Sequence, residues 1–216
     1  MTTFETSKTS SWLNRRALVA GASLSLGLAF TGTAVAASEV EAFNKITGHF
    51  NKVKTMTGNF IQIDPKGNQV EGRFFIERPG KMRFEYEKSY PLQIISDGDQ
   101  VYVHNKKLKN WRNYPLSKTP VKLLLGDRIT LDNKSVRKVE DDAGLTIVTL
   151  GNKSVFGNQT IKMMFDSQTY DLRQWNTVDK QGGETQVLIF DVREGVRFAK
   201  NVFRVNKEAI AKTRDF

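Results

Sequence analysis

Apolar and polar residues alternate with a period of two along most of the chain after Gly58. Met82, Phe84 and Tyr86 share one face of a run in which the charged residues between them share the other. A period of two is typical of β-strands, and turn signals every eight to twelve residues are typical of antiparallel sandwiches and barrels. The pattern predicts strands at residues 59–63, 70–78, 81–87, 92–96, 100–104, 109–115, 135–140, 145–150, 160–165, 171–179, 185–192 and 202–205.

One amphipathic helix is predicted before the first strand. Ser38 and Glu41 have the spacing of a capping box, and Gly58 suits a helix end. Between Ser38 and Gly58, apolar residues recur at intervals of three and four, so these apolar residues lie on one helix face. These residues are Val40, Phe43, Ile46, Phe50 and Val53.

The apolar face of so many strands needs more cover than one helix of about 17 residues can provide. We therefore expect the sheet to curl and enclose its apolar face, leaving an interior that side chains fill or a ligand shares. A second, short helix is predicted after Thr119 and Pro120, with Leu123, Leu124 and Leu125 as its apolar residues. Periodicity alone favours the interpretation that this short helix plugs one end of a barrel.

The first residues have the three parts of a secretory signal peptide. Lys8, Arg15 and Arg16 form a basic region, residues 17–30 form an apolar run, and small residues follow up to Ala37. We predict a signal peptide at 1–36, with cleavage after Ala36 or Ala37, and one mature domain at 37–216. Ordinary export is favoured over the twin-arginine route, and we expect the mature protein to be soluble.

Composition narrows the possible partners and the chemistry. The chain has no cysteine, which excludes disulfides, thiolate metal sites and a lipoprotein-type acyl anchor. The formal charge is +10, of which residues 1–36 contribute +2. A basic exported domain suits an anionic membrane surface or an acidic protein better than nucleic acid, although a charge spread over the surface for solubility explains it equally well.

The sequence offers little catalytic chemistry. His49 and His104 are the two histidines, and their separation is not that of a metal-ligand pair in a short motif. No nucleophile elbow, phosphate-binding loop or dinucleotide fingerprint is present. We therefore predict a protein that is not an enzyme and uses no cofactor or metal. The favoured alternative to catalysis is binding in a large apolar, aromatic-lined interior.

A set of motifs extends over most of the mature chain, most clearly from Gly58 to Gly126. The motifs are residues 57–60, 72–87, Tyr90-Pro91, residues 95–98, Pro115-Leu116-Ser117 and the Leu123-Leu124-Leu125 helix. Together they resemble the LolA-type carriers of bacterial outer-membrane lipoproteins.

The resemblance implies an unclosed antiparallel β-barrel of about 11 strands, with helices as a lid over an apolar cavity. It also implies a periplasmic protein that takes lipoproteins from an inner-membrane ABC-transporter release complex and passes them to an outer-membrane acceptor. We expect a monomer that binds lipoprotein acyl chains and no nucleic acid. The alternatives are a binding protein or sensor for other lipids and, less favoured, a periplasmic hydrolase.

The resemblance also assigns roles to individual residues. The arginine before proline in the family motif ties the lid shut, and it falls on Arg78, which shares a strand face with Phe74 and Ile76. We predict that Arg78 is a latch bonded to carbonyl groups of a lid helix; without the resemblance, an arginine whose head reaches water is favoured. The predicted acyl-chain lining is Phe60, Phe74, Ile76, Met82, Phe84, Tyr86 and Trp111, and the predicted lid helix carries Leu123, Leu124 and Leu125.

Overall fold

The fold is known from a computed structural model that describes residues 32–129, 135–156 and 158–212. Residues 1–31 of the predicted signal peptide lie outside the described residues. The elements in chain order are α1 (Gly32–Phe50), β1 (Thr55–Ile63), β2 (Gln69–Glu77), β3 (Lys81–Tyr86), β4 (Leu92–Asp97), β5 (Gln100–Asn105), β6 (Asn110–Pro115), a 3-10 turn (Leu116–Lys118), α2 (Val121–Leu124), β7 (Val136–Asp142), β8 (Leu145–Gly151), α3 (Lys153–Phe156), β9 (Thr160–Asp166), β10 (Leu172–Val178), β11 (Glu184–Glu194) and α4 (Lys207–Lys212).

The eleven strands form one antiparallel sheet that is not closed. Their order is β6-β5-β4-β3-β2-β1-β11-β10-β9-β8-β7, so β6 and β7 are its two edges. Pairing follows the sequence within β1 to β6 and within β7 to β11, and the pairing of β1 with β11 joins these two series. This arrangement confirms the predicted fold class of an unclosed antiparallel sheet of about 11 strands.

A contact between two distant strands shows that the sheet curls. The rings of Phe84 in β3 and Trp175 in β10 meet edge to face, with centroids 6.0 Å apart. Three strands lie between β3 and β10 in the sheet order. In a flat sheet, strands spaced about 4.8 Å apart would hold these two strands roughly 19 Å from each other. The sheet therefore wraps around a shared interior.

Alternation along each strand sorts side chains between the interior and the outside. In β3 the buried residues are Met82, Phe84 and Tyr86, and in β9 they are Ile161 and two further apolar residues at alternate positions. We call the sheet face that carries these residues the inner face. The inner face and the two helices α1 and α2 together form one continuous hydrophobic core.

The opening helix differs from the prediction at both ends. It begins at Gly32 and ends at Phe50, and Gly58 lies inside β1 instead of capping the helix. A Cβ atom on Gly58 would lie 2.7 Å from the carbonyl oxygen of Phe190, so this glycine permits a close approach of β1 and β11. Close approach and helix capping both select glycine, and the sequence pattern does not distinguish them.

The predicted strand at 202–205 is wrong. Residues 201–203 form a turn that leads into α4, and this C-terminal segment packs on the outer face of the sheet. Phe198 makes edge-to-face contacts with Phe75 of β2 and with Phe203, at centroid distances of 6.0 and 5.4 Å. Within the described part of the chain, no helix combines the length and the apolar character needed to cross a membrane.

Candidate functional site

Two helices cover the inner face of the sheet, and we refer to α1 and α2 together as the lid. In α1, Phe43, Ile46 and Phe50 are buried, and the Phe50 ring meets Phe165 of β9 edge to face at 5.4 Å. At α2, Leu124 and Leu125 are buried. The lid is therefore held to the sheet mainly by apolar contacts, which are strong in sum but not directional.

Arg78 lies directly after β2, under the end of α1. Its residue is only 4% exposed, and its Nη2 donates hydrogen bonds to the backbone carbonyls of Phe50 and Val53. The guanidinium carbon stands 3.9 Å from the centroid of the Phe50 ring. One cation thus holds the last residue of α1 by a hydrogen bond and by its aromatic ring.

The acceptors of Arg78 suit a cation for a general reason. The last carbonyls of an α-helix have no partner within the helix and carry the negative end of its dipole. Phe50 is the last residue of α1, and Val53 follows in the connection to β1. The predicted bonding of Arg78 to a lid helix is therefore found at α1, whereas the Leu123–Leu125 segment contributes no acceptor to its side chain.

The burial of Arg78 has an electrostatic cost. Burial lowers the pKa of the guanidinium to about 10, and the carboxylates of Asp127 and Glu194 act in the opposite direction. Arg78 nevertheless stays charged at neutral pH. Its Nε and Nη1 atoms find no hydrogen-bond partner among the described residues, so the group is held by fewer bonds than it could make.

The turn after Arg78 reaches the second lid helix. The backbone N–H of Gly80 donates to the carbonyl of Leu125 at 2.9 Å, and the Ser96 hydroxyl donates to the carbonyl of Gly80 at 2.6 Å. The N–H of Arg78 donates to the carbonyl of Lys54 at 2.7 Å. Residues 78–80 therefore connect α1, α2 and β4, and we call this segment the latch turn.

Six of the seven predicted lining residues lie together in the core under the lid. The ring centroid of Phe60 is 4.7 Å from that of Phe84 and 5.2 Å from that of Tyr86. The Tyr86 hydroxyl donates to Gln62 at 2.7 Å. The six residues are Phe60, Phe74, Ile76, Met82, Phe84 and Tyr86. Their contact with acyl chains stays a prediction.

The placement of Trp111 on this inner face is wrong. Trp111 pairs with His104 in the register of β5 and β6, and the two rings stack with centroids 4.0 Å apart. It packs against the outer cluster that includes Ile95 and Tyr102. The strand register puts Trp111 on the face opposite Met82 and Phe84, so it cannot line the interior.

The lining also contains residues from β8 to β11 that the sequence analysis did not single out. Their alternation along the strands is as regular as that of β3. This alternation was the sequence signal that could have identified them as lining residues. They are Leu150, Ile161, Met163, Phe165, Trp175, Val187 and Ile189. The interior is thus built equally from both halves of the sheet.

Comparison with known proteins places this architecture in a family. The family described as "Outer membrane lipoprotein carrier protein LolA" matches residues 51–206. The chain belongs to the LolA family. The match begins directly after α1 and extends through β1 to β11.

Two individual proteins that are similar to this chain carry the name "Outer-membrane lipoprotein carrier protein". The one from Chromobacterium violaceum is 32% identical, over 82% of this chain and 86% of its own. The one from Pseudomonas paraeruginosa is 27% identical, over 75% of this chain and 82% of its own. Among solved structures, a LolA superfamily protein from Nitrosomonas europaea is similar with a TM-score of 0.43 and 8% identity, over 75% of this chain and 97% of its own.

Proposed function

We propose that this protein is a periplasmic carrier of lipoproteins. It binds the acyl chains of lipoproteins released from the inner membrane by an ABC-transporter complex and delivers them to an acceptor at the outer membrane. It acts as a monomer, by binding alone, without catalysis and without a cofactor. Membership of the LolA family supports this role.

The single observation that carries the proposal is an apolar interior under a lid that one buried arginine holds. The core beneath α1 and α2 is lined by aromatic and aliphatic side chains from many strands. Burial of a methylene group contributes about 0.8 kcal/mol, so two or three long acyl chains require tens of kcal/mol of shelter from water. A core of this composition, once the lid moves aside, supplies such shelter.

Lid opening exchanges one set of apolar contacts for another. The side chains of Phe43, Ile46 and Phe50 occupy the inner face when the lid is closed. Acyl chains that take their place would make similar contacts with the sheet, so the net cost of opening is set mainly by polar bonds that the lipid cannot replace. The bonds of Arg78 are of this kind, and each is worth about 1.5–3 kcal/mol.

Such a latch favours delivery of the bound lipid. It keeps the empty interior closed, and it competes with bound acyl chains, because the closed state regains the bonds of Arg78 when the lipid leaves. A ligand shifts this equilibrium only through its different affinity for the two states. Met82 and Met163 add flexible lining that adapts to chains of different shape.

The test is a release assay with inner-membrane vesicles that carry a labelled lipoprotein and its transporter complex. The wild-type protein is expected to draw the label into a soluble one-to-one complex and to pass it to outer-membrane vesicles. An Arg78→Leu variant is expected to bind lipoprotein but to hand on at least tenfold less. Arg197→Leu, which removes an exposed arginine, is the matched control and should behave as wild type.

Two results would contradict the proposal in different ways. If the wild type releases no lipoprotein but binds free phospholipid, the alternative of a carrier or sensor for other lipids replaces it. If both variants transfer lipoprotein as well as the wild type, the carrier role stands and the latch role of Arg78 is excluded.

A further inference from the structure

We propose that His49, Asp171 and Glu194 form a binding site for a zinc-type transition-metal dication at the end of α1. This inference goes beyond the proposed carrier function, and it does not depend on it. The three residues come from three separate elements: His49 from the last turn of α1, Asp171 from the turn between β9 and β10, and Glu194 from the end of β11. One potential ligand atom from each lies within 4.8 Å of the other two.

The distances fit a shared ion. His49 Nε2 is 3.2 Å from Asp171 Oδ1 and 4.0 Å from Glu194 Oε1. Two ligand atoms about 2.1 Å from a tetrahedral zinc ion are roughly 3.4 Å apart, so the pair of His49 and Asp171 fits as it stands. Glu194 fits after its side chain moves by about 0.6 Å toward His49. Water completes the coordination in sites with three protein ligands.

The chemistry of the donors selects the class of metal. One imidazole nitrogen with two carboxylate oxygens suits a first-row transition dication, whereas magnesium and calcium prefer oxygen ligands alone. His49 Nε2 is a buried atom, and among the described residues it has no hydrogen-bond partner, because its contact with Asp171 is not aligned as a hydrogen bond. A nitrogen that points at two carboxylates without a well-aligned hydrogen bond is available to a metal ion.

The surroundings orient the ligands. The Thr169 hydroxyl donates to Asp171 Oδ2 at 2.8 Å, so the other oxygen of Asp171 faces His49. Such bonds to a ligating carboxylate are typical of metal sites. Lys54, which lines the depression beside His49, has a carboxylate partner of its own in Asp127 at 2.8 Å.

A metal ion here would act on the lid. His49 immediately precedes Phe50, whose carbonyl accepts the hydrogen bond from Arg78. An ion bound by His49, by Asp171 in the turn before β10 and by Glu194 of β11 would connect the same end of α1 to the sheet. The expected consequence is a stabler closed lid when zinc is bound.

The experiment measures zinc binding by the purified protein, prepared without a polyhistidine tag, in competition with a chromophoric chelator. We expect one zinc ion per chain, with magnesium unable to compete. His49→Gln and Glu194→Gln should each weaken zinc binding at least tenfold. His104→Gln is the matched control, because it removes the other histidine. His104 stacks on Trp111 and lies in β5, which four strands separate from β11 in the sheet.

A second readout locates the effect. Zinc should raise the thermal midpoint of the wild type and slow amide hydrogen exchange in α1, and it should do neither in His49→Gln. Equal zinc affinity of wild type and His49→Gln would overturn the proposal, as would a wild type that takes up no zinc. If His49→Gln fails to fold, Glu194→Gln decides by the same criteria. Lipoprotein transfer plays no part in these measurements, so their failure leaves the carrier proposal intact.

Discussion

The backbone N–H of Gly80 lies 2.9 Å from the carbonyl oxygen of Leu125, so the turn that carries Arg78 is bonded to the end of α2. The same turn therefore contacts both helices of the lid: α1 through the side chain of Arg78 and α2 through a main-chain bond. Because these bonds share one segment of three residues, movement of either helix is expected to affect the other.

Replacing Arg78 should loosen α1 without unfolding the sheet. Arg78→Leu removes the hydrogen bonds to Phe50 at the end of α1 and to Val53 just after it, each worth about 1.5–3 kcal/mol. The substitution also removes the cost of burying a charge. We expect amide exchange in residues 43–53 to accelerate about ten- to a hundredfold, while the thermal midpoint of the sheet changes little. Hydrogen exchange with mass spectrometry measures both. Acceleration spread evenly over all strands would contradict a local role.

The latch turn depends on glycine at position 80 for two separable reasons. Gly80 has φ +82°, and a Cβ atom there would lie 2.9 Å from the Cα of Gly98. Gly67 has a similar φ of +84° but open space around it. Gly67→Ala should cost about 1–2 kcal/mol of unfolding free energy through backbone strain alone, and Gly80→Ala should cost clearly more. Equal losses in chemical denaturation would show that the contact with Gly98 is unimportant.

The two tryptophans of the described chain should respond differently to a bound acyl chain. Trp175 lies in the core under the lid, and Trp111 lies on the outer face. In Trp111→Phe, a fatty acid with a spin label on its chain should quench the remaining fluorescence of Trp175 strongly. In Trp175→Phe, the same probe should have little effect on Trp111. The opposite pattern would place the acyl chain outside the sheet.

Packing inside the sheet should carry much of the stability. Phe60 is fully buried, with ring contacts to Phe84 and Tyr86, whereas Phe190 on the neighbouring strand is 41% exposed. Phe60→Ala should lower the free energy of unfolding by about 3–5 kcal/mol through lost burial and a cavity. Phe190→Ala removes the same ring from a surface site and should cost much less. Urea denaturation of both variants tests the difference.

Tyr86 should make the protein sensitive to alkali. Burial, followed by the neighbouring Tyr90, raises the pKa of its phenol above the ordinary value near 10. Because the folded state favours the protonated phenol, the stability that this group contributes is present below about pH 10 and falls as the pH rises further. Wild type should therefore lose stability more steeply above pH 10 than Tyr86→Phe. Absorbance of tyrosinate at alkaline pH should show one phenol fewer ionising in the folded wild type than in the same protein unfolded by denaturant.

The strands could be predicted from the sequence because their pattern is local. The alternation of Met82, Phe84 and Tyr86 with charged residues is a direct consequence of the two-residue repeat of a strand, and the structure has these residues buried. The same repeat placed Arg78 on the strand face of Phe74 and Ile76, whereas its bonding to a lid helix was predicted only from the family resemblance. The motifs from Gly58 to Gly126 indicated the LolA family, which the comparison over residues 51–206 confirms.

Only the tertiary structure decided which face of a strand is inside and which groups meet. Trp111 alternates like an interior residue, but the register with β5 and the cover provided by the C-terminal segment place it outside. The carbonyl partners of Arg78 are 25 and 28 residues away from it in the chain, and the carboxylates near His49 are more than 100 residues away from that histidine. Local periodicity contains no information on such pairings, because they depend on how the whole sheet curls and where α1 ends on it.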